Sequence, residues 1–83
     1  MEREKLAEEI IDFCNTYKIF SKQKILILER NRVLEKLEDI SFIENLIHVL
    51  ILKSKRRKNI DNTRLKKLLV ALEKERLDLE YDE

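Results

Sequence analysis

Leu6-Ala7-Glu8-Glu9-Ile10-Ile11-Asp12-Phe13-Cys14-Asn15-Thr16-Tyr17-Lys18-Ile19-Phe20 decides the fold class. Its main apolar residues, Leu6, Ile10, Phe13, Tyr17 and Phe20, recur at spacings of four, three, four and three. A helix turns about 100° per residue, so this rhythm gathers them into one stripe that faces a core. Ala7, Ile11 and Cys14 widen the stripe. Strand residues would alternate instead.

The same rhythm returns along the chain. Ser21 is a natural break, because its hydroxyl can accept from an exposed N–H at the start of a new helix. A second stripe runs through Leu26, Val33, Leu37 and Ile40, flanked by Ile27 and Leu34. Ile25-Leu26-Ile27-Leu28 has some strand character, but a lone strand would leave its backbone groups without a partner, so helix is the better reading. Asp39-Ile40-Ser41 is the next boundary, and Ser41 followed by Glu44 fits a capping box. The third helix starts at Phe42 and is apolar nearly all round through Leu52, which predicts that it is the most buried element. Asn59 to Asn62 forms the third break, with Asp61 or Asn62 as cap. Leu65, Leu68, Leu69, Leu72 and Leu79 make the fourth stripe, with Leu77 and Tyr81 nearby.

These stripes predict an all-α chain, a single domain over residues 1–83. The expected architecture is an antiparallel four-helix bundle with helices at about 3–20, 22–38, 42–57 and 62–80. Connections this short favour antiparallel neighbours. An alternative fuses the first two helices into a rod that pairs with a second chain as a homodimer and buries the same stripes. Composition agrees with an all-helical chain, because there is no Gly and no Pro to shape hairpins or tight loops. The lone Cys14 excludes an internal disulfide and any Cys-based zinc cage. No apolar run reaches the roughly 20 residues of a membrane span. The charged start, Met1-Glu2-Arg3-Glu4-Lys5, lacks the apolar core of a signal peptide. A cytoplasmic protein is the expectation.

Charge is more informative than its total. Charged residues make up 42% of the chain, yet the net charge is only +1. Residues 53–72 carry eight bases (Lys53, Lys55, Arg56, Arg57, Lys58, Arg64, Lys66, Lys67) against Asp61 alone. Residues 1–12 hold five acids and two bases, and residues 73–83 hold six acids and two bases. In an up-down-up-down bundle, the third connection shares an end with Lys18, Lys22 and Lys24, while Glu35, Glu38, Asp39 and Glu44 join the chain termini at the other end. The molecule then has one basic and one acidic pole. Helix dipoles favour acids at helix starts and bases at helix ends, which suits the first and third helices and opposes the second and fourth. Local helix stability therefore does not account for the segregation.

The eight cations are the candidate partner-binding residues. A run such as Lys53-Ser54-Lys55-Arg56-Arg57-Lys58 suits phosphates, anionic lipid headgroups, an acidic protein surface or a nuclear-import receptor, and its bland reading is a solvated helix end. No aromatic stands within it to stack on single-stranded bases. Asn62-Thr63-Arg64-Leu65-Lys66-Lys67 could open the recognition helix of a helix-turn-helix, but the usual Gly-containing turn is missing and the helix becomes acidic from Glu73. His48 has no nucleophile or second metal ligand at a useful spacing, and reads as a core or boundary residue with a satisfied ring nitrogen. Cys14 reads as a small hydrophobe. Glu8 and Glu9 are adjacent on a helix and point apart, so they are no acid/base pair. Neither an enzyme, a cofactor nor a metal is indicated.

The order of segments over residues 33–72 resembles the class IIa bacteriocin immunity proteins. The resemblance rests on Val33-Leu34-Glu35-Lys36-Leu37-Glu38, the apolar helix Phe42 to Leu52, the basic stretch, Asn59-Ile60, and Leu65-Lys66-Lys67-Leu68-Leu69-Val70-Ala71-Leu72. It covers about half the chain and involves no diagnostic motif. It implies a cytosolic four-helix bundle that protects a membrane sugar-transporter receptor from the producer's own bacteriocin. This chain departs from the family in ending soon after Leu79, where members carry a C-terminal tail linked to specificity, and in being somewhat shorter. The expected function is thus a non-enzymatic binding module, an immunity or inhibitor protein acting by protein–protein contact, with an anionic membrane surface or membrane receptor close by. The alternatives are a small DNA-binding regulator and a structural assembly subunit.

Overall fold

The structure, a computed structural model, describes residues 2–21 and 29–81. Within them the chain forms helices α1 (Arg3–Thr16), α2 (Arg30–Lys36), α3 (Ile40–Ser54) and α4 (Asn62–Tyr81), with no strand. The fold is all-α, as the stripes predict. The expected part of the second helix over residues 22–28, including Leu26, Ile27 and the strand-like Ile25–Leu28, lies outside the described residues, as do Lys22 and Lys24.

Helix ends differ from expectation for identifiable reasons. α1 stops at Thr16, four residues before Phe20. Tyr17 is its C-cap, and Lys18 follows in the left-handed region with φ 52°. The Ile19 amide donates back to the Cys14 carbonyl at 2.9 Å, and the Lys18 amide donates to the Asn15 carbonyl. This pair of bonds is a Schellman turn, with fully buried Ile19 as its apolar anchor. It also overturns the fused-rod alternative, since α1 cannot run on through it. α3 begins at Ile40 rather than Phe42, and its cap is Asp39, not Ser41: the Ser41 amide donates to Asp39 Oδ1 at 2.9 Å. α3 ends at Ser54 rather than Arg57, because the chain tightens there, Arg56 N–H donating to Lys53 O and Arg57 N–H to Ser54 O. α2 ends at Lys36 in a similar tight turn, which carries fully buried Leu37. Asp61 caps α4, its Oδ1 accepting from the Thr63 and Arg64 amides.

The buried apolar side chains make one cluster drawn from α1, α3, α4, Val33 of α2 and the turns at Ile19 and Leu37. α1 packs against both α2 and α4, and α3 packs against α4. The most buried element is therefore α1, with Leu6, Ala7, Ile10, Phe13 and Cys14 all buried, and not α3. α3 buries Ile43, Leu46 and Leu50 but leaves Ile51 and Leu52 exposed. An almost wholly apolar helix is not the central one here, because its position between neighbours, rather than its composition, decides how much it buries.

Ion pairs fix how α1 lies. Arg3, at its start, pairs with Glu38 after α2 and with Glu75 late in α4, at 3.4 and 2.9 Å. Further along, Glu8 pairs with Arg30 at the start of α2, and Glu9 with Arg64 at the start of α4. These contacts set the start of α1 beside the late part of α4 and the turn after α2, and its middle beside their first residues.

Candidate functional site

The end of α1 explains what two of the eight candidate cations do. A helix leaves its last carbonyls without partners. Lys53 Nζ, from the last turn of α3, donates to the Ile19 carbonyl at 2.6 Å and stands 5.6 Å from the centre of the Phe20 ring. Arg57 Nε and Nη2 donate to the carbonyls of Tyr17 and Lys18 at 3.2 and 3.0 Å. From the other side, the Asp61 amide donates to the Tyr17 hydroxyl. Two cations of the basic run thus hold the α3–α4 connection against the turn after α1.

Arg64 is committed as well. Its Nε donates to Glu9, its Nη2 donates to Asp12, and its guanidinium lies 5.7 Å from the centre of the Phe13 ring. Its pKa is raised further, chiefly by the hydrogen bond to Asp12, so it is a permanent cation bridging α1 and α4.

Lys55, Arg56, Lys58, Lys66 and Lys67 are different. All five are exposed, and their side chains make no hydrogen bond or ion pair among the described residues. Lys55, Arg56 and Lys58 sit in the connection after α3, where Lys58 shares a shallow groove of about 420 Å³ with Lys18, Arg57 and Tyr17. Lys66 and Lys67 stand on the exposed side of the first turns of α4. No acid occurs between Glu44 and Asp61, so the one acid of the connection is Asp61, whose Oδ1 caps α4. The opposite end gathers Glu38 and Glu75 around Arg3, and Glu73 and Glu80 around Arg76. Glu44 lies close enough to Arg76 to help raise its pKa.

No family model, curated protein or solved structure matches the chain. The remaining polar groups offer little chemistry. Cys14 is buried, and burial pushes its thiol from 9.0 up to about 12, with nearby Lys53 acting weakly the other way. A thiol so far from ionisation is a poor nucleophile at neutral pH. His48 is exposed on α3 and makes no hydrogen bond among the described residues, so the expected satisfied ring nitrogen is not found. Glu8 and Glu9 do point apart, toward α2 and α4. Among the described residues no three of His, Cys, Asp and Glu are placed to hold a metal ion, and no helix is long and apolar enough to cross a membrane. A groove of about 640 Å³ lies between α1 and the start of α4, lined by the paired Glu9 and Arg64 together with Lys5, Glu8 and Lys67.

Sequence reasoning identified the basic region but not the division within it. The partners of Lys53 and Arg57 lie 34 and 40 residues away, and backbone carbonyls leave no mark in a sequence. The Arg64 bridge had a visible signal in Glu9 and Asp12, acids at the edge of the first stripe.

Proposed function

We propose that the protein is a non-enzymatic helical docking module that seats its basic end on an anionic surface of a protein partner. One observation carries the reading: Lys55, Arg56 and Lys58, extended by Lys66 and Lys67, are exposed and make no side-chain hydrogen bond or ion pair among the described residues, while Lys53, Arg57 and Arg64 are engaged internally. Unpaired like charges held together repel one another, and an anionic partner relieves that repulsion while steering association. The specific form suggested by the resemblance over residues 33–72 is an immunity or inhibitor protein in the cytoplasm, acting by protein–protein contact close to a membrane receptor.

The DNA-binding alternative draws support from Lys66 and Lys67 on the first turns of α4. Against it, residues 55–61 separate α3 from α4, a longer connection than the three or four residues typical of a helix-turn-helix, and Arg64 turns inward to α1.

The test is to express the chain in bacteriocin-sensitive cells and to challenge them with class IIa bacteriocins. The wild type is expected to protect, and a variant carrying Lys55→Glu, Arg56→Glu and Lys58→Glu is expected to lose protection at unchanged helicity. Equal protection by both would remove the basic end from the mechanism, and no protection by the wild type would remove the immunity role. Retention on duplex DNA that weakens steeply with salt would favour the regulator instead.

A further inference from the structure

The outer face of α4 carries a second pattern. Val70, Leu77 and Tyr81 are exposed at 68, 38 and 80%, although each is large and apolar. At about 100° per residue they lie within roughly 40° of one another around the helix, so they form one stripe pointing away from the core. The same geometry puts Lys67 and Asp78 on one flank of the stripe, and Lys66 and Glu80 on the other. Lys66, Lys67 and Asp78 make no side-chain ion pair among the described residues, and Glu80 is engaged through Oε2 by Arg76.

Along α4 the bases come early and the acids late, the reverse of what the helix dipole favours. The order does suit a second copy of the same helix lying antiparallel. A two-fold axis level with the bond between Glu73 and Lys74 sets Val70 against the second copy's Leu77. It also brings Lys66 beside the second copy's Glu80 and Lys67 beside its Asp78. In such a pairing a residue meets the same flank of the other helix, so both sets of opposite charges fall on matching sides, and each occurs twice by symmetry. The two helix dipoles also oppose each other.

We infer that α4 is a self-association surface, through which two copies of this chain form a weak, salt-sensitive antiparallel dimer. Lys74 on one flank and Glu73 on the other each meet their own copy near the axis, the like-charge contacts of the arrangement. The inference is separate from the docking reading, with which it shares only Lys66 and Lys67.

Sedimentation velocity on the full chain over a concentration series, at low and high salt, tests it. The expected result is a monomer–dimer equilibrium that salt weakens and Leu77→Glu abolishes, with helicity unchanged by circular dichroism. Lys67→Asp and Asp78→Lys are each expected to raise the dimer Kd roughly tenfold, since each change acts at two symmetry-related contacts. The double exchange restores the pairing and the affinity, and Lys74→Gln tightens the dimer. A chain that stays monomeric throughout would overturn the inference. So would a dimer indifferent to Leu77→Glu, or a charge exchange that fails to restore what the single changes remove. Should Leu77→Glu unfold the chain, the exchange pair decides alone.

Discussion

Lys18 holds a backbone conformation that suits glycine, and the sequence has no glycine to offer it. Its β-carbon crowds the backbone in the left-handed region, so Lys18→Gly is expected to stabilise the fold by about 0.5–1 kcal/mol, read as a higher urea midpoint at unchanged slope. The side chain is exposed, so its removal loses little packing. At Cys14 the expectation concerns pH. Its folded pKa is raised, to about 12 against 9.0, so the unfolded chain releases the thiol proton first. The stability that the protonated thiol contributes is therefore complete below pH 9 and is lost as pH rises toward 12. Unfolding measured across that window should show a loss that shrinks in Cys14→Ala. At neutral pH the thiol should react with a disulfide reagent only as fast as the chain opens.

At the scale of the element, the end of α1 is held from outside. Lys53→Met keeps most of the apolar stem but leaves the Ile19 carbonyl without its cation. The expected cost is about 1–2 kcal/mol, with faster amide exchange at Lys18 and Ile19 than elsewhere in α1. A wholly local Schellman turn would show no such focus. The same feature shows why helices were legible and their ends were not. Stripe spacing in Leu6, Ile10 and Phe13 depends only on neighbours along the chain. The stop at Thr16 depends on Lys18 accepting an unfavoured conformation and on cations from beyond Ser41. The cap at α3 was misread for a smaller reason: Asp39 and Ser41 are both good capping residues, and propensity alone does not rank them. Of the candidate site, the charge run was legible as a run. The engagement of Lys53, Arg57 and Arg64 was not, since each partner is supplied by the tertiary fold.

At the scale of the whole molecule, α1 matters most because Leu6, Ala7, Ile10, Phe13 and Cys14 are all buried and Phe13 lies fully buried beneath Arg64. Phe13→Ala is expected to cost about 3–5 kcal/mol, against a total of only about 4–12 kcal/mol for a chain of this size. Thermal melting should fall steeply, or the variant should lose its cooperative transition. A milder loss would mean that the core closes over the gap. α3 was expected at the centre because of its composition, yet its side chains meet chiefly α4. Which helix is surrounded is a property of the arrangement of all the elements, and no single stripe encodes it.

The connection between α3 and α4 combines exposure with Lys55, Arg56, Arg57 and Lys58, which makes it the natural place for a trypsin-like protease to cut. A cut there would free no fragment at once. α4 stays attached through Leu68 and Leu72 in the core, and through Arg64 gripping Glu9 and Asp12. The nicked protein should elute as one species and separate into two pieces only in denaturant, so the same contacts that anchor α4 would let two separately made halves find each other.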